Sequence, residues 1–563
     1  MNVIEIDHLT YCYPGASNPT LKDINLKIER GDFLAIVGNN GCGKSTFCKT
    51  LNGIIPRFIS GDFEGTVSVC GMDTQKYEIG DLAKKVGYVY QDFENQIIRP
   101  TVLDDASYAC LNYAMGDYKK RGMEALEKCG LSGREDDYIW QLSGGQTHLL
   151  ALAGAVSLEP DILILDEPIA QLDPMHAGRI YSVLKELNEK YGKTIIVIEH
   201  HTEYIADFCK HVMLMKNGSV EWVLDTDEAL QRVDELQSCN IFPPQVTIAA
   251  DAMKKQGRFS LALRLPTTVE QGKAVFVPIS EKKREKEKTR EKNQTAAMFN
   301  NVSVSYRSVK GEPKTVFKDL NLKISKGDKL ALIGSNGAGK STLMKMLIGL
   351  LKPTSGDVEL FGHSIKKVKA ESLSRKISMV YQNPEDMFIK DSIAADVAYA
   401  MKVRNIQDAD IKTDRLLKRF RLAELKDRDG RLLSGGQMRR ASLAIGTALD
   451  PEILLLDEPT ANLDIATRKE IMTMLDDLKN TTETVVIATH DMQLVCEWAD
   501  RIVVLCQGEV IADGTRDEIF ENDAVTKTAG IRPPEIFTMA KELDKKAVCY
   551  TVDDFLRQFD GKR

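Results

Sequence analysis

The sequence predicts an α/β fold in which one domain occurs twice, and three observations predict it. A phosphate-binding loop of the form G-x-x-x-x-G-K-[ST] stands at residues 38–46 and again at 334–342. Short apolar strands alternate with helical segments in both halves, as in a parallel sheet covered by helices. Later motifs recur at a nearly constant spacing between the halves, as far as a Pro-Pro pair near the end of each (Pro243-Pro244 and Pro533-Pro534). One loop alone is modest evidence, because short motifs arise by chance. Two loops with parallel downstream motifs describe a duplicated unit.

Each half opens with alternating apolar residues. In the first, Val3, Ile4 and Ile6, then Leu21, Ile24, Leu26 and Ile28, predict antiparallel strands. A short apolar strand, Phe33-Leu-Ala-Ile-Val37, runs into the glycine loop, and a helix is expected from about Lys44 to Asn52. Ile162-Leu-Ile-Leu165 and Thr194-Ile-Ile-Val-Ile198 read as further buried strands, while residues 92–142 are expected to be mostly helical. The first half is longer between Gly53 and Gly71 than the second between Gly349 and Gly362, and the excess reads as a longer surface turn. The resulting division is a first ATPase domain at 1–228, its C-terminal extension at 229–277, a linker at 278–297, a second ATPase domain at 298–518 and its extension at 519–563. Within the linker, residues 281–292 carry seven positive and four negative charges, the pattern of a solvated tether. A tether of about twenty residues extends to roughly 70 Å, enough for the halves to dock face to face.

Composition excludes several classes. With 563 residues each half is long enough to bury its own core. The net charge of −7 supplies no global basic field, so nucleic acid is not an expected partner. Eleven scattered cysteines without a C-x-x-C pair argue against a zinc site, an iron–sulfur cluster or a disulfide framework, and suit a reducing cytosol. The N-terminus lacks the basic and apolar regions of a signal peptide. No apolar run approaches the length that spans a bilayer, so a membrane role is expected to come through a partner.

The glycines of each loop let backbone N–H groups converge on phosphate oxygens at a helix N-terminus. The ATP-binding residues are therefore Gly38, Asn39, Gly41, Cys42, Gly43, Lys44, Ser45 and Thr46, with Gly334, Ser335, Gly337, Ala338, Gly339, Lys340, Ser341 and Thr342 in the second half. Lys44 and Lys340 are expected to reach the β- and γ-phosphates, and Ser45 and Ser341 to meet Mg²⁺. Asp166 and Asp457 end apolar strands, where a carboxylate meets the metal directly or through water. Glu167 and Glu458 follow at once and are the expected general bases, a role typically worth about 10²–10⁴ in rate. An exposed thiol at Cys42 would make the protein sensitive to alkylation.

Both halves also carry Leu-Ser-Gly-Gly-Gln, at 142–146 and 433–437, at the same distance before Asp166 and Asp457. Taken with Gln91 and Gln382 after apolar strands, the Asp-Glu-Pro segments, Leu172-Asp173 and Leu463-Asp464, and the late His200 and His490, the chain resembles the ATP-binding cassette ATPases over most of both halves. That resemblance implies two P-loop domains, each with a RecA-like parallel core, an antiparallel β subdomain and a helical subdomain. It implies an intramolecular pseudo-dimer in which ATP and Mg²⁺ on one half's loop are closed by Ser143, Gly144, Gly145 and Gln146, or by Ser434, Gly435, Gly436 and Gln437, of the other. A Gly-Gly turn at a helix start offers N–H donors to an anion delivered from outside. By position, Tyr13 and Tyr306 would stack on adenine, Gln91 and Gln382 would contact Mg²⁺ and water, and His200 and His490 would contact the γ-phosphate and take part in catalysis. Thr147-His148-Leu149 stands where the second half has Met438-Arg439-Arg440, a departure expected to weaken contacts at the site that segment closes. Neither half loses its lysine, aspartate, glutamate or histidine, so both sites are expected to hydrolyse ATP.

Among these ATPases, the segments Gln91-Asp-Phe-Glu-Asn-Gln96 and Gln382-Asn-Pro-Glu-Asp-Met387 are similar to those of energy-coupling-factor importers, which take up vitamins or transition-metal ions. The acidic helix starts ending at Asp105 and Asp396, and the two Pro-Pro extensions, point the same way. This resemblance implies a transmembrane coupling subunit and a substrate-binding membrane subunit as partners, and a peripheral place on the cytoplasmic face of the cell membrane. Two alternatives are a soluble ribosome-associated twin-cassette protein and the twin ATPase of a conventional sugar importer. Repeated extensions and a linker ill-suited to a long helical hairpin weigh against the first, and an intact second site against the other.

Overall fold

The computed structural model describes residues 1–169, 172–279, 294–306, 314–461, 463 and 465–562. Residues 281–292 of the linker, and Asp464, lie outside the described residues. The chain forms two compact units: residues 1–279 together with 538–547 and 552–563, and residues 280–537 together with 548–551.

In the first unit, β1 (Asn2–Cys12), β2 (Leu21–Glu29), β4 (Asp62–Val69) and β5 (Met72–Asp73) make an antiparallel sheet in the order β2-β1-β4-β5. Alternation sets its register. Ile4 pairs with Ile28 and Ile6 with Leu26, all buried, while Glu5 faces Lys27 on the solvent side. The second sheet joins β3 (Phe33–Val37), β6 (Val86–Val89), β7 (Ile162–Asp166), β8 (Thr194–Ile198), β9 (His211–Lys216) and β10 (Ser219–Asp225) in the order β6-β7-β8-β3-β9-β10. Every residue of β3, β7 and β8 is buried, as expected of parallel strands covered on both faces. Only β10 runs antiparallel to its neighbour. The stretch expected to be helical contains the helices Val102–Ala106, Tyr108–Asn112 and Tyr118–Lys128.

The longer segment after Gly53 is more than a surface turn. It holds a helical turn, Ile54–Arg57, kinked at the extended backbone of Ile55, with Ile55 fully buried, Arg57 paired with Glu78 at 2.9 Å and Phe58 82% exposed. The first extension packs onto the core of its unit. Leu236, Cys239 and Ile241 sit in the same apolar core as β3, β7 and β8, and Pro244 caps the helix Gln245–Lys255. The short β11 (Phe276–Pro278) follows it.

The second unit repeats the plan. Its antiparallel sheet holds β12 (Thr295–Tyr306), β13 (Lys314–Ser325), β15 (Ser355–Leu360) and β16 (His363–Ser364) in the order β13-β12-β15-β16. β12 begins inside the range read as linker, not at residue 298, because buried Ala296 and Ala297 already pair with β13 or β15 or join the core. The parallel core holds β14 (Lys329–Ile333), β17 (Ile377–Val380), β18 (Ile453–Asp457), β19 (Thr484–Ala488), β20 (Arg501–Cys506) and β21 (Glu509–Gly514), ordered β17-β18-β19-β14-β20-β21. The tail after residue 518 divides: Tyr550 stacks on Phe537 at 5.6 Å in the second unit, while β22 (Phe559–Gly561) pairs with β11 in the first.

Candidate active site

Each parallel sheet delivers its phosphate loop at the C-terminal end of a central strand, β3 or β14, ahead of the helices Lys44–Leu51 and Lys340–Leu347. Gly38 and Gly334 show why the loop begins on glycine. Their φ angles are 152° and 151°, and a Cβ would meet the carbonyl oxygen of Met215 at 2.3 Å or of Leu505 at 2.1 Å. The lysines are buried and already drawn over the loops. Lys44 Nζ donates to the carbonyls of Gly38 at 2.7 Å and Asn39 at 3.1 Å, and Lys340 Nζ to those of Gly334 at 2.7 Å and Ser335 at 3.2 Å. Tyr13 and Tyr306 stand beside their loops, their hydroxyls 3.1 and 3.4 Å from the Oγ1 atoms of Thr46 and Thr342.

Cys42 corrects a sequence-level expectation. Its thiol is buried, at 5% exposure, and burial pushes its pKa up, so it is neither exposed nor activated.

Opposite each loop, Ser341 Oγ donates to Asp457 Oδ2 at 2.9 Å, and Ser45 is hydrogen-bonded to Asp166. Burial raises the pKa of both aspartates, a cost that a nearby cation removes. With Gln91 and Gln382, these side chains offer oxygen donors, the hard set that suits Mg²⁺. Tyr88 adds a hydroxyl bond to Asp166 Oδ2 at 3.3 Å, a contact that the sequence did not signal.

Glu167 and Glu458 both lie in the left-handed region, with φ of 50° and 46°. Such backbone is costly for a glutamate, and it recurs at both positions. Their surroundings differ. Glu167 receives Gln91 Nε2 on Oε2 at 2.8 Å and faces His200 Nε2 from Oε1 at 3.1 Å. Burial opposes its charge, but His200 and Lys44 outweigh burial and hold the carboxyl below its usual range. Glu458 is more enclosed: Thr489 donates to Oε2 at 3.0 Å, and His490 Nδ1 lies 2.8 Å from Oε1. Burial works against the charge of His490, but Glu458 and Asp491 raise its pKa nonetheless. In the first half, Thr489 is replaced by the buried Glu199, which turns away to accept the amides of His200 and His201 and the hydroxyl of Tyr181.

The signature segments open the helices Gly144–Val156 and Gly435–Thr447. Ser143 and Ser434 cap them, and Gln146 and Gln437 reach back to the capping amides at 2.9 and 3.1 Å, a reciprocal box. Gly145 and Gly436 are packed: a Cβ would meet His176 at 2.1 Å and Thr467 at 2.4 Å. At Gly144 and Gly435 it would meet nothing within 4 Å. The segment expected to weaken the first-half signature does not face outward at its centre. His148 is buried, with Nδ1 at 3.1 Å from the carbonyl of Pro168.

Two glycine loops on parallel sheets, each ringed by a lysine, an aspartate and a glutamate, define the class as a tandem P-loop ATPase. The profile of the family described as ABC transporter matches residues 21–170 and 317–461. A putative ABC transporter ATP-binding protein of Methanosarcina acetivorans is 33% identical, covering 97% of this chain and 91% of its own. One of Clostridium perfringens is 31% identical, covering 98% of each. Among solved structures, cbiO1 of Clostridium perfringens, described as part of the ABC transporter complex cbiONQ, is 30% identical, with a TM-score of 0.37 over 43% of this chain and 98% of that one. The chain belongs to the ATP-binding proteins of ABC transporters. It is an ATPase, with ATP and Mg²⁺ as its ligands. Among the described residues, no helix is long and apolar enough to cross a membrane.

Proposed function

We propose that this chain is the ATP-hydrolysing subunit of an energy-coupling-factor type importer for a vitamin or transition-metal ion. It would work at the cytoplasmic face of the membrane through a transmembrane coupling subunit and a substrate-binding membrane subunit. The observation that carries this reading is the pairing of two complete sets of site residues with two Pro-Pro extensions, whose helices are Gln245–Lys255 and Glu535–Leu543. Both extensions are built rather than loose, which suits a part that stabilises a fixed assembly.

In this reading Lys44 and Lys340 leave their loop carbonyls for phosphate oxygens, and the signature serines Ser143 and Ser434 also bind ATP. Glu167 and Glu458 accept a proton from the attacking water, with His200 and His490 holding the glutamates in place. Bound Mg²⁺ would supply charge neutralisation on the phosphates, held by Ser45, Asp166 and Gln91, and by Ser341, Asp457 and Gln382. Movement of the Gln91 and Gln382 loops passes the nucleotide state to the membrane subunits.

The test is purification of the chain from detergent-solubilised membranes, followed by reconstitution in liposomes. The reading expects a small, very hydrophobic membrane protein in stoichiometric amount and ATP-dependent solute uptake. Recovery with ribosomes and no membrane subunit would overturn it.

A further inference from the structure

The clearest asymmetry between the halves lies one helical turn inside the signature helix. In the second half, Arg439 is only 2% exposed and its guanidinium is spent on main chain: Nη1 donates to the carbonyl of Tyr381 at 2.9 Å and Nη2 to that of Gln382 at 2.7 Å. A planar fork on two successive carbonyls fixes both position and direction. In the first half the same helix position is His148. Its ring lies 3.5 Å, centroid to centroid, from Phe93, two residues beyond Gln91, and Gln96 adds a long bond to the carbonyl of Ala151 at 3.4 Å. Pro384 occupies the place of Phe93 in the second half.

We propose that Arg439 and His148 are positioning residues that tie each glutamine loop to the helix carrying the signature serine, by a guanidinium fork in the second half and a ring stack in the first. The inference rests on the reading of Gln91 and Gln382 as contacts to Mg²⁺ and water. Its consequence is that the two ATP sites are unequal. Among the described contacts, the carbonyl of Gln382 is held by Arg439 Nη2, whereas in the first half the side-chain amide of Gln91 lies on Glu167 Oε2.

The test compares the full-length chain with Arg439→Gln, Arg439→Lys and the transplant Arg439→His/Pro384→Phe, which rebuilds the first-half stack in the second. Without nucleotide, amide hydrogen exchange over residues 381–388 is expected to quicken about tenfold in Arg439→Gln, while residues 90–97 stay unchanged. The Mg²⁺ activation curve of hydrolysis should split, one component moving about tenfold higher. Arg439→Lys, which keeps the charge but not the fork, should shift the same component part of the way. The transplant should return both readouts toward wild type, which a merely space-filling arginine would not do. If Arg439→Gln does not fold, the lysine variant carries the comparison. Wild-type exchange and Mg²⁺ dependence in a folded Arg439 variant, or a transplant that restores neither, would overturn the inference. Gln382→Ala separates it from the reading beneath it. An unchanged Mg²⁺ curve there removes the metal role of Gln382 and the inference with it. A shifted curve there beside an unchanged one in Arg439→Gln removes Arg439 alone.

Discussion

The side-chain amide of Gln91 donates to Oε2 of Glu167 at 2.8 Å, joining the loop that follows β6 to the residue that follows β7. The second half makes no copy of this bond among the described contacts, and the hydroxyl of Thr489 serves Glu458 instead. In the proposed mechanism both glutamates nonetheless take a proton from water. Glu167→Gln and Glu458→Gln should each preserve ATP binding, and the double variant should cut turnover at least about tenfold. Steady-state phosphate release measured beside nucleotide binding checks this, and wild-type turnover in the double variant would remove the assignment.

The two glycines of each signature should behave differently. At Gly144 a methyl group meets open space, and alanine is the better helix former by about 1 kcal/mol. Gly144→Ala should therefore keep or raise the melting temperature while lowering ATP turnover, because the methyl obstructs an approaching phosphate. At Gly145 the methyl collides with His176, and overpacking of this kind costs about 1–3 kcal/mol. Thermal melts and turnover on the same samples separate the two, and equal melting losses would refute the distinction.

Cys42 should resist thiol reagents despite its place in the phosphate loop. It is buried and its thiol pKa is raised, so little thiolate forms at pH 8. Peptide mapping after iodoacetamide treatment should show the half-buried Cys506 labelled well before Cys42, with Cys42 reacting only after denaturation. Equal labelling rates in the native protein would contradict the structure.

Asp161 ties the strand ends of the first core, facing Arg30 at 2.8 Å and Lys85 at 3.1 Å. Burial raises its pKa, but those two cations outweigh burial and leave it below the ordinary value of 3.8. A carboxylate with a lowered folded-state pKa contributes stability above its unfolded pKa and loses it as pH falls through the folded value. Asp161→Asn should therefore lower the melting temperature at pH 7, with the difference from wild type shrinking below about pH 4. A difference that is constant from pH 7 to pH 3 would show that the charge is not responsible.

Much of the fold was legible because its signals are local. Alternating apolar residues such as Ile4, Ile6, Leu26 and Ile28 allow one strand register only, and the unbroken apolar runs of β3, β7 and β8 suit only a sheet covered on both sides. The segment after Gly53 was less legible: a kinked four-residue turn held by the buried Ile55 and by Arg57 on Glu78 carries no periodicity long enough to read. In the candidate site, the residues of the loops and signatures were legible but their neighbours were not. Nothing in the order Glu199-His200 or Thr489-His490 says that one side chain turns from the glutamate and the other toward it.

The sequence by itself determined the candidate chemistry: which glycines free the backbone, which lysine, aspartate and glutamate are expected around the phosphates, and that all of these occur twice. Those properties belong to short stretches of chain and survive in any context that folds. Only the tertiary structure decided that Cys42 is sheltered, that Gln91 reaches Glu167, and that Arg439 grips the carbonyls of Tyr381 and Gln382 while His148 stacks on Phe93. The reason is physical. Burial and hydrogen bonding between residues far apart in the chain depend on how strands and helices pack, and identical motifs packed against different neighbours become unequal sites.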